Sequence, residues 1–261
     1  MRGRLRHGGG QGGRKGAHAG IVRRPMGCGR HRGARLRERC GILPAAESFP
    51  FFTQPSKDLP LKSASATLFD EAYYQRFYFD KKTSVVDPQH MERLGQFVCS
   101  YLKYLRVPVE RVLDVGCGIG LWKDIVARHF PDARYQGVEF SAYLCERYGW
   151  QQGSVVDYAA SEPSDLVVCQ GVLPYLSPPD LKAALDNLAR LCRGALYLEA
   201  VTREDYEQDI IDEDLTDPAL FRHRAEAYRR GLSRHFRAVG GGLWLRRSLE
   251  VPLFELEYAG E

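Results

Sequence analysis

From residue 88 onward the apolar positions fall into two alternating rhythms. Met91, Leu94, Phe97, Val98, Tyr101, Leu102 and Leu105 recur at threes and fours, which predicts a helix over 88–105 with these side chains inward. Val112 to Val115 is a short β-branched run and reads as a buried strand over 111–115. A helix over 121–130 follows, with Leu121, Ile125, Val126 and Phe130 inward, and then a strand over 134–139. Ser141 is placed to cap a helix over 141–149. Residues 153–158 read as a third strand with its turn, 165–170 as a fourth and 194–201 as a fifth, with a helix over 178–192 between the last two. Strand and helix in alternation predict an α/β parallel sheet. Asp217-Pro218 predicts the start of a further helix, with Leu220, Phe221, Tyr228, Leu232 and Phe236 on its buried side. Residues 236–247 and 251–258 read as two closing antiparallel strands, with Gly240-Gly241-Gly242 as a bend or bulge.

Ahead of residue 88 the pattern is different. Thr67-Leu68-Phe69-Asp70 reads as a capping box with Asp70 in the reach-back position. The segment Tyr73 to Phe79 then carries five aromatics in seven positions, which cannot all face one core. Phe69 and Phe77 are assigned to packing, and Tyr73, Tyr74 or Tyr78 to covering a pocket, so that 68–105 forms a helical lid on a domain spanning 63–261. Residues 1–41 hold 12 glycines and little apolar material and are expected to be disordered. Pro44, Pro50, Pro55 and Pro60 mark 42–62 as a linker.

Charge sharpens this division. Residues 1–62 carry 14 Lys and Arg against three Asp and Glu, so the whole-chain net of +4 leaves −7 for residues 63–261. The basic character belongs to the tail, and a nucleic-acid partner is expected only through it. The tail is also compatible with a transit peptide or with translated leader from a start site placed too early. Seven cysteines without a C-x-x-C pair suggest reduced thiols in a cytoplasmic protein. The seven histidines are scattered, so no metal site is expected. No apolar run approaches the roughly 18 residues a membrane helix needs. Nothing in the sequence sets an oligomeric state.

The chemistry concentrates after the first strand. Gly116, Gly118 and Gly120 alternate between strand and helix, and Glu139 ends the second strand. Strand, glycine turn, helix and a later acid make a nucleotide-type pocket, in which a carboxylate accepts ribose hydroxyls. A nicotinamide-type dinucleotide site wants its third glycine at the sixth position of the turn, where this chain has Leu121. The third glycine falls at the fifth position instead. An NAD(P)-dependent oxidoreductase is therefore the alternative reading, and a non-catalytic relative acting as an interaction protein is a second.

The pattern Asp114-x-Gly116-x-Gly118-x-Gly120 resembles the signature of class I S-adenosylmethionine-dependent methyltransferases. Glu139 matches that family's ribose-binding acid. Asp157 matches the acid after the third strand that meets the adenine, with Val156 or Tyr158 beside the ring. Asp165-Leu-Val-Val-Cys-Gln-Gly-Val-Leu-Pro-Tyr-Leu176 resembles the fourth strand and its turn. The likeness covers about 110–201. It implies a Rossmann-like, seven-stranded, mostly parallel sheet with an antiparallel last strand and helices on both faces. It also implies S-adenosyl-L-methionine as cofactor, held by Asp114, Gly116, Cys117, Gly118, Gly120, Glu139, Phe140, Val156, Asp157 and Gln170. Asp114 is expected either to order the glycine loop by accepting its N–H groups or to reach the cofactor's amino group. Gly118→Arg and Glu139→Ala are expected to weaken cofactor binding and to leave most of the fold intact.

Residues after strands four and five should face the acceptor. Tyr73, Tyr78, Gln170, Tyr175 and Glu199 are the candidates on that side, and His129, His223 and His235 are weaker ones. Family members that methylate nucleobases or glutamine carry Asn-Pro-Pro-Tyr where this chain has Gln-Gly-Val-Leu-Pro-Tyr, which disfavours a base N-methyltransferase. The acidic stretch 203–217, which includes Asp217, reads as a solvated face, or as a cap that attracts a cationic substrate or lends a general base. A small molecule is the expected acceptor, of unspecified identity.

Overall fold

A computed structural model describes residues 64–65, 68–80, 84, 87–213 and 216–257, together with the backbone of Ala17–His18 and Ile21–Val22, which pair antiparallel. The expectations for the rest of the tail and linker, and for Thr67 as a cap, lie outside the described residues.

Seven strands form one sheet: β1 Arg111–Val115, β2 Arg134–Glu139, β3 Gln151–Gln152, β4 Ser164–Gln170, β5 Cys192–Glu199, β6 Phe236–Gly240 and β7 Leu243–Arg246. Their spatial order is β3-β2-β1-β4-β5-β7-β6. The first five run parallel, and β7 lies antiparallel to both β5 and β6. The order reverses between β1 and β4, and the crevice at such a reversal, beyond the carboxyl ends of the strands, is where ligands bind.

Alternation along the strands sends side chains to two cores. Leu113, Val115, Val167, Cys169, Leu196 and Leu198 meet α5 (Pro178–Leu191) and α6 (Ala225–Leu232) on one face. Val112, Leu166, Val168, Ala195 and Tyr197 meet α2 (Pro88–Tyr104) and α3 (Leu121–His129) on the other. A Cβ on Gly95 of α2 would stand 2.5 Å from Ile125 of α3, so these helices approach as closely as glycine allows. Phe97, expected inward, is instead exposed and stacks on Tyr101. Between β2 and β3, α4 (Ala142–Tyr148) is capped by Ser141.

Four local expectations are corrected. The third strand is Gln151–Gln152, and residues 155–157 form a turn. The apolar pair Val155-Val156 drew the reading toward 153–158, whereas the pairing with Val138 and Glu139 is made by two exposed glutamines. The helix expected at Pro218 starts at Ala225, because the Asp217 carboxylate bonds Ala219 N and the Tyr175 hydroxyl. His223 therefore precedes that helix, and its Nε2 contacts Leu176 O at 2.8 Å. The last two strands are the two arms of 236–246, with the glycine triplet at positive φ as their hairpin turn. Of the segment expected at 251–258, the described residues 251–257 are not a strand; Phe254 and Leu256 are 75% and 98% exposed. Finally, Asp70 is itself the N-cap of α1 (Glu71–Tyr74), accepting from Tyr73 N at 2.9 Å. A π turn, Gln75–Phe79, continues that helix.

Candidate active site

A cavity of about 410 Å³ opens at the carboxyl ends of β1, β2 and β4, within the range of small-molecule pockets. Its floor is the glycine turn. Gly116, Gly118 and Gly120 have φ of +73°, +53° and +84°, a region that side chains with a Cβ avoid. Packing fixes the outer two as well. A Cβ at Gly116 would lie 2.2 Å from Val172 Cγ2, and one at Gly120 would lie 2.7 Å from the Trp150 ring. A Cβ at Gly118 would meet nothing within 4 Å. The middle glycine thus presents bare backbone to open space.

Glu139 anchors this turn. It is 5% exposed, and its Oε2 accepts from Gly118 N at 2.8 Å. Its Oε1 accepts from Phe140 N and Ser141 N, each at 2.9 Å. Burial pushes its carboxyl upward, and these three N–H donors oppose the shift. Gly116 N and Cys117 N donate to Val138 O, so none of the loop N–H groups expected at Asp114 reaches it. Asp114 instead accepts from the Tyr135 hydroxyl at 2.6 Å. Burial raises its carboxyl from 3.8 to about 7, despite that hydrogen bond and with help from the Glu139 charge.

The far wall comes from β4 and its turn. Trp122 Nε1 donates to Gln170 Oε1 at 2.7 Å, which fixes the amide's orientation. The roof is the α1 segment. Phe69 meets Tyr73, Tyr175 and Phe140 edge to face, with centroids 5.2, 5.0 and 6.3 Å apart. Such pairs contribute roughly 0.5–1.5 kcal/mol each. Ser141 Oγ donates to Phe69 O at 2.5 Å, tying roof to floor. Of the segment 68–105, Phe69, Tyr73, Tyr74 and Tyr78 reach the cavity, while α2 packs into the core.

The cavity brings together Tyr73, Tyr78, Gln170, Tyr175, Asp114, Gly116, Cys117, Gly118, Glu139, Phe140, Val156 and Asp157. Gly120 does not line it, and Tyr158 turns away to bond Gln136 and Gln151. Glu199, at the end of β5, accepts from Tyr197 OH at 3.0 Å and also lies outside the lining. None of His129, His223 and His235 lines it either. Sequence reasoning missed Tyr135, Trp122 and Trp150, which hold the lining residues in place, and marked Asp217 only as one of the acidic stretch 203–217. Their partners are distant in the chain, so no local motif marks them. It also missed Asp180, which lines the cavity from the first turn of α5. Among the described residues no group of three His, Cys, Asp or Glu side chains is placed to hold a metal ion, and no helix is long and apolar enough to cross a membrane.

Residues 113–194 match a family profile described as a methyltransferase domain. Trans-aconitate 2-methyltransferase of Pseudomonas paraeruginosa (strain DSM 24068 / PA7) is 31% identical over 126 residues, 46% of this chain and 42% of that protein. The protein of the same name from Azoarcus sp. (strain BH72) is 28% identical over 113 residues, 40% of this chain and 44% of that protein. The match thus spans less than half the length of these curated relatives. Magnesium protoporphyrin IX methyltransferase from Synechocystis PCC 6803, solved with bound SAM, aligns at a TM-score of 0.47 and 18% identity over 74% of this chain and all of that one.

Proposed function

We propose that this chain, which belongs to the class I S-adenosylmethionine-dependent methyltransferases, transfers a methyl group to a small-molecule acceptor held under the aromatic roof. The observation that carries the reading is the pairing of buried Glu139 with the open backbone at Gly118, at the point where the strand order reverses. Glu139 Oε2 accepts only Gly118 N and keeps one lone pair free, so it can take a ribose hydroxyl without releasing the loop. Gly118 lets the backbone approach a ligand closely. Phe140, Val156 and Asp157 hold the adenine, and Asp114 receives the amino group, with Gln170 beside it. When bound, S-adenosyl-L-methionine supplies a sulfonium-activated methyl group. The protein's part is positioning and exclusion of water, which can contribute several kcal/mol. Leu121, where a dinucleotide turn has glycine, disfavours the nicotinamide alternative.

The curated relatives are named for trans-aconitate, an organic anion. Among the described residues, the lining here holds Asp114, Glu139, Asp157 and Asp180 and no Lys, Arg or His. An anion of that kind is therefore not the acceptor proposed for this chain. The catalytic unit is assigned to 63–261. A cytoplasmic setting is supported by the five free thiols among the described residues, four of them buried.

Isothermal titration tests the donor. S-adenosylhomocysteine is expected to bind and NAD is not. Gly118→Arg should remove that binding while the far-ultraviolet circular dichroism stays unchanged, because its side chain enters open space and the cost of its φ of +53° is confined to the turn. Binding of NAD in place of S-adenosylhomocysteine would overturn the reading.

A further inference from the structure

The roof ends in a directed chain of hydroxyls. Tyr175 has one phenolic proton, and it donates this to Asp217 Oδ2 at 2.9 Å. The 2.8 Å contact between Tyr175 and Tyr73 is then donated by Tyr73. With its only proton turned toward Tyr175, the Tyr73 oxygen can act toward the cavity only as an acceptor. Asp217 is 6% exposed, and its other oxygen is held by Ala219 N at 2.9 Å. Burial raises both phenols above their ordinary value, so they remain neutral and relay a proton without holding charge. A ligand beside Tyr73 must therefore bring an N–H or O–H.

Charge narrows the ligand further. Asp114, Glu139 and Asp157 are engaged by the donor in the proposed function, which leaves Asp180 in the lining and Asp217 behind Tyr175, and no cationic side chain of the described residues joins them. The rings of Phe69, Tyr73, Tyr74, Tyr78 and Tyr175 add π faces, which attract cations. A carboxylate would be repelled by these acids. An alcohol can donate to Tyr73 but gains nothing from the field around it.

We propose that the acceptor is a small amine, bound as its ammonium ion and relieved of one proton by the chain Tyr73–Tyr175–Asp217. The inference rests on the methyl-transfer reading only for the amine's later fate. An ammonium N–H bond breaks and its proton bonds to the Tyr73 oxygen. The Tyr73 proton passes to Tyr175, and the Tyr175 proton to Asp217 Oδ2. The ligand loses its positive charge, Asp217 loses its negative one, and the electron pair of the broken N–H bond stays on nitrogen. That lone pair is what a methyl acceptor must present.

Three probes of matched ring and size test this on the full chain by calorimetry: benzylamine, benzyl alcohol and benzoate. Benzylamine is expected to bind at least about tenfold tighter than benzoate, with the alcohol between them. Asp217→Asn keeps the shape of the carboxylate, and Tyr175→Phe keeps the ring and removes the link. Both should shrink the amine's advantage over the alcohol to within about twofold, with S-adenosylhomocysteine affinity unchanged. A merely structural role would not move that ratio. Benzoate binding as tightly as the amine, no binding of any probe, or a full amine advantage in both variants overturns the proposal. If S-adenosylhomocysteine fails to bind while the amine preference persists, the donor reading falls and the amine site stands.

Discussion

Glu139→Ala is expected to lose both ligand and stability. Three backbone N–H groups, of Gly118, Phe140 and Ser141, converge on this one carboxylate. Leaving a buried donor unsatisfied costs about 1–3 kcal/mol. Relief of the carboxylate's own burial and water entering the vacated space offset part of that. A net loss of roughly 2–5 kcal/mol follows, or a melting temperature lower by about 5–15 °C for a domain of this size. S-adenosylhomocysteine binding should fall below detection, because the glycine loop loses the group that fixes Gly118. The expectation from the glycine spacing alone, that this substitution spares most of the fold, takes no account of the three donors. Glu139→Gln separates the two effects. Its carbonyl can still serve Phe140 N and Ser141 N, while its amide faces Gly118 N with a second donor. It should cost about 1–2 kcal/mol and still weaken the ligand strongly. A Glu139→Ala protein that melts with the wild type and binds S-adenosylhomocysteine normally would refute the assignment.

What could be read ahead of the structure was what local pattern encodes. Arg111–Val115 was legible as a short, largely apolar run, Arg134–Glu139 from its place in the alternation of strand and helix, and Ser141 because a cap is a one-residue signal. The glycine turn was legible because its backbone tolerates little else. The misses have one physical cause: a local signal was outweighed by a distant partner. Asp-Pro at 217–218 has the form of a helix start, but the carboxylate is engaged by a tyrosine 42 residues upstream. Gln151–Gln152 has no apolar alternation, and joins the sheet because β2 offers it an open edge. Of the two roles expected of Asp114, ordering the loop or reaching the cofactor's amino group, the first is not taken, because the loop's N–H groups are satisfied by Val138 O and Glu139. The candidate site shows the same split. Its floor followed from spacing, whereas the Tyr73–Tyr175–Asp217 chain joins three segments that no motif links.

Asp114→Asn is expected to stabilise the protein at alkaline pH and to impair it as a binder. The folded Asp114 carboxyl keeps its proton to about pH 7, against an ordinary value of 3.8. Between those values the folded state binds more protons than the unfolded one, so stability falls as pH rises. Above pH 7 the penalty is complete, about three pH units or on the order of 4 kcal/mol. Asparagine does not titrate, and its side-chain oxygen can still accept from Tyr135 OH. The variant should therefore melt well above the wild type at pH 8, with the margin closing as pH falls toward 4. A charge this unfavourable to folding is worth keeping only if a ligand meets it. In the proposed assignment the cationic amino group of the donor is that partner, so S-adenosylhomocysteine affinity at pH 8 should fall about tenfold or more in the variant. Thermal melts across pH 4–8, paired with calorimetry at pH 8, decide the matter. A margin that does not vary with pH, or a variant less stable than the wild type throughout, would mean that Asp114 is ionised and well paired in the folded protein, and its assignment to the amino group would lose its energetic basis.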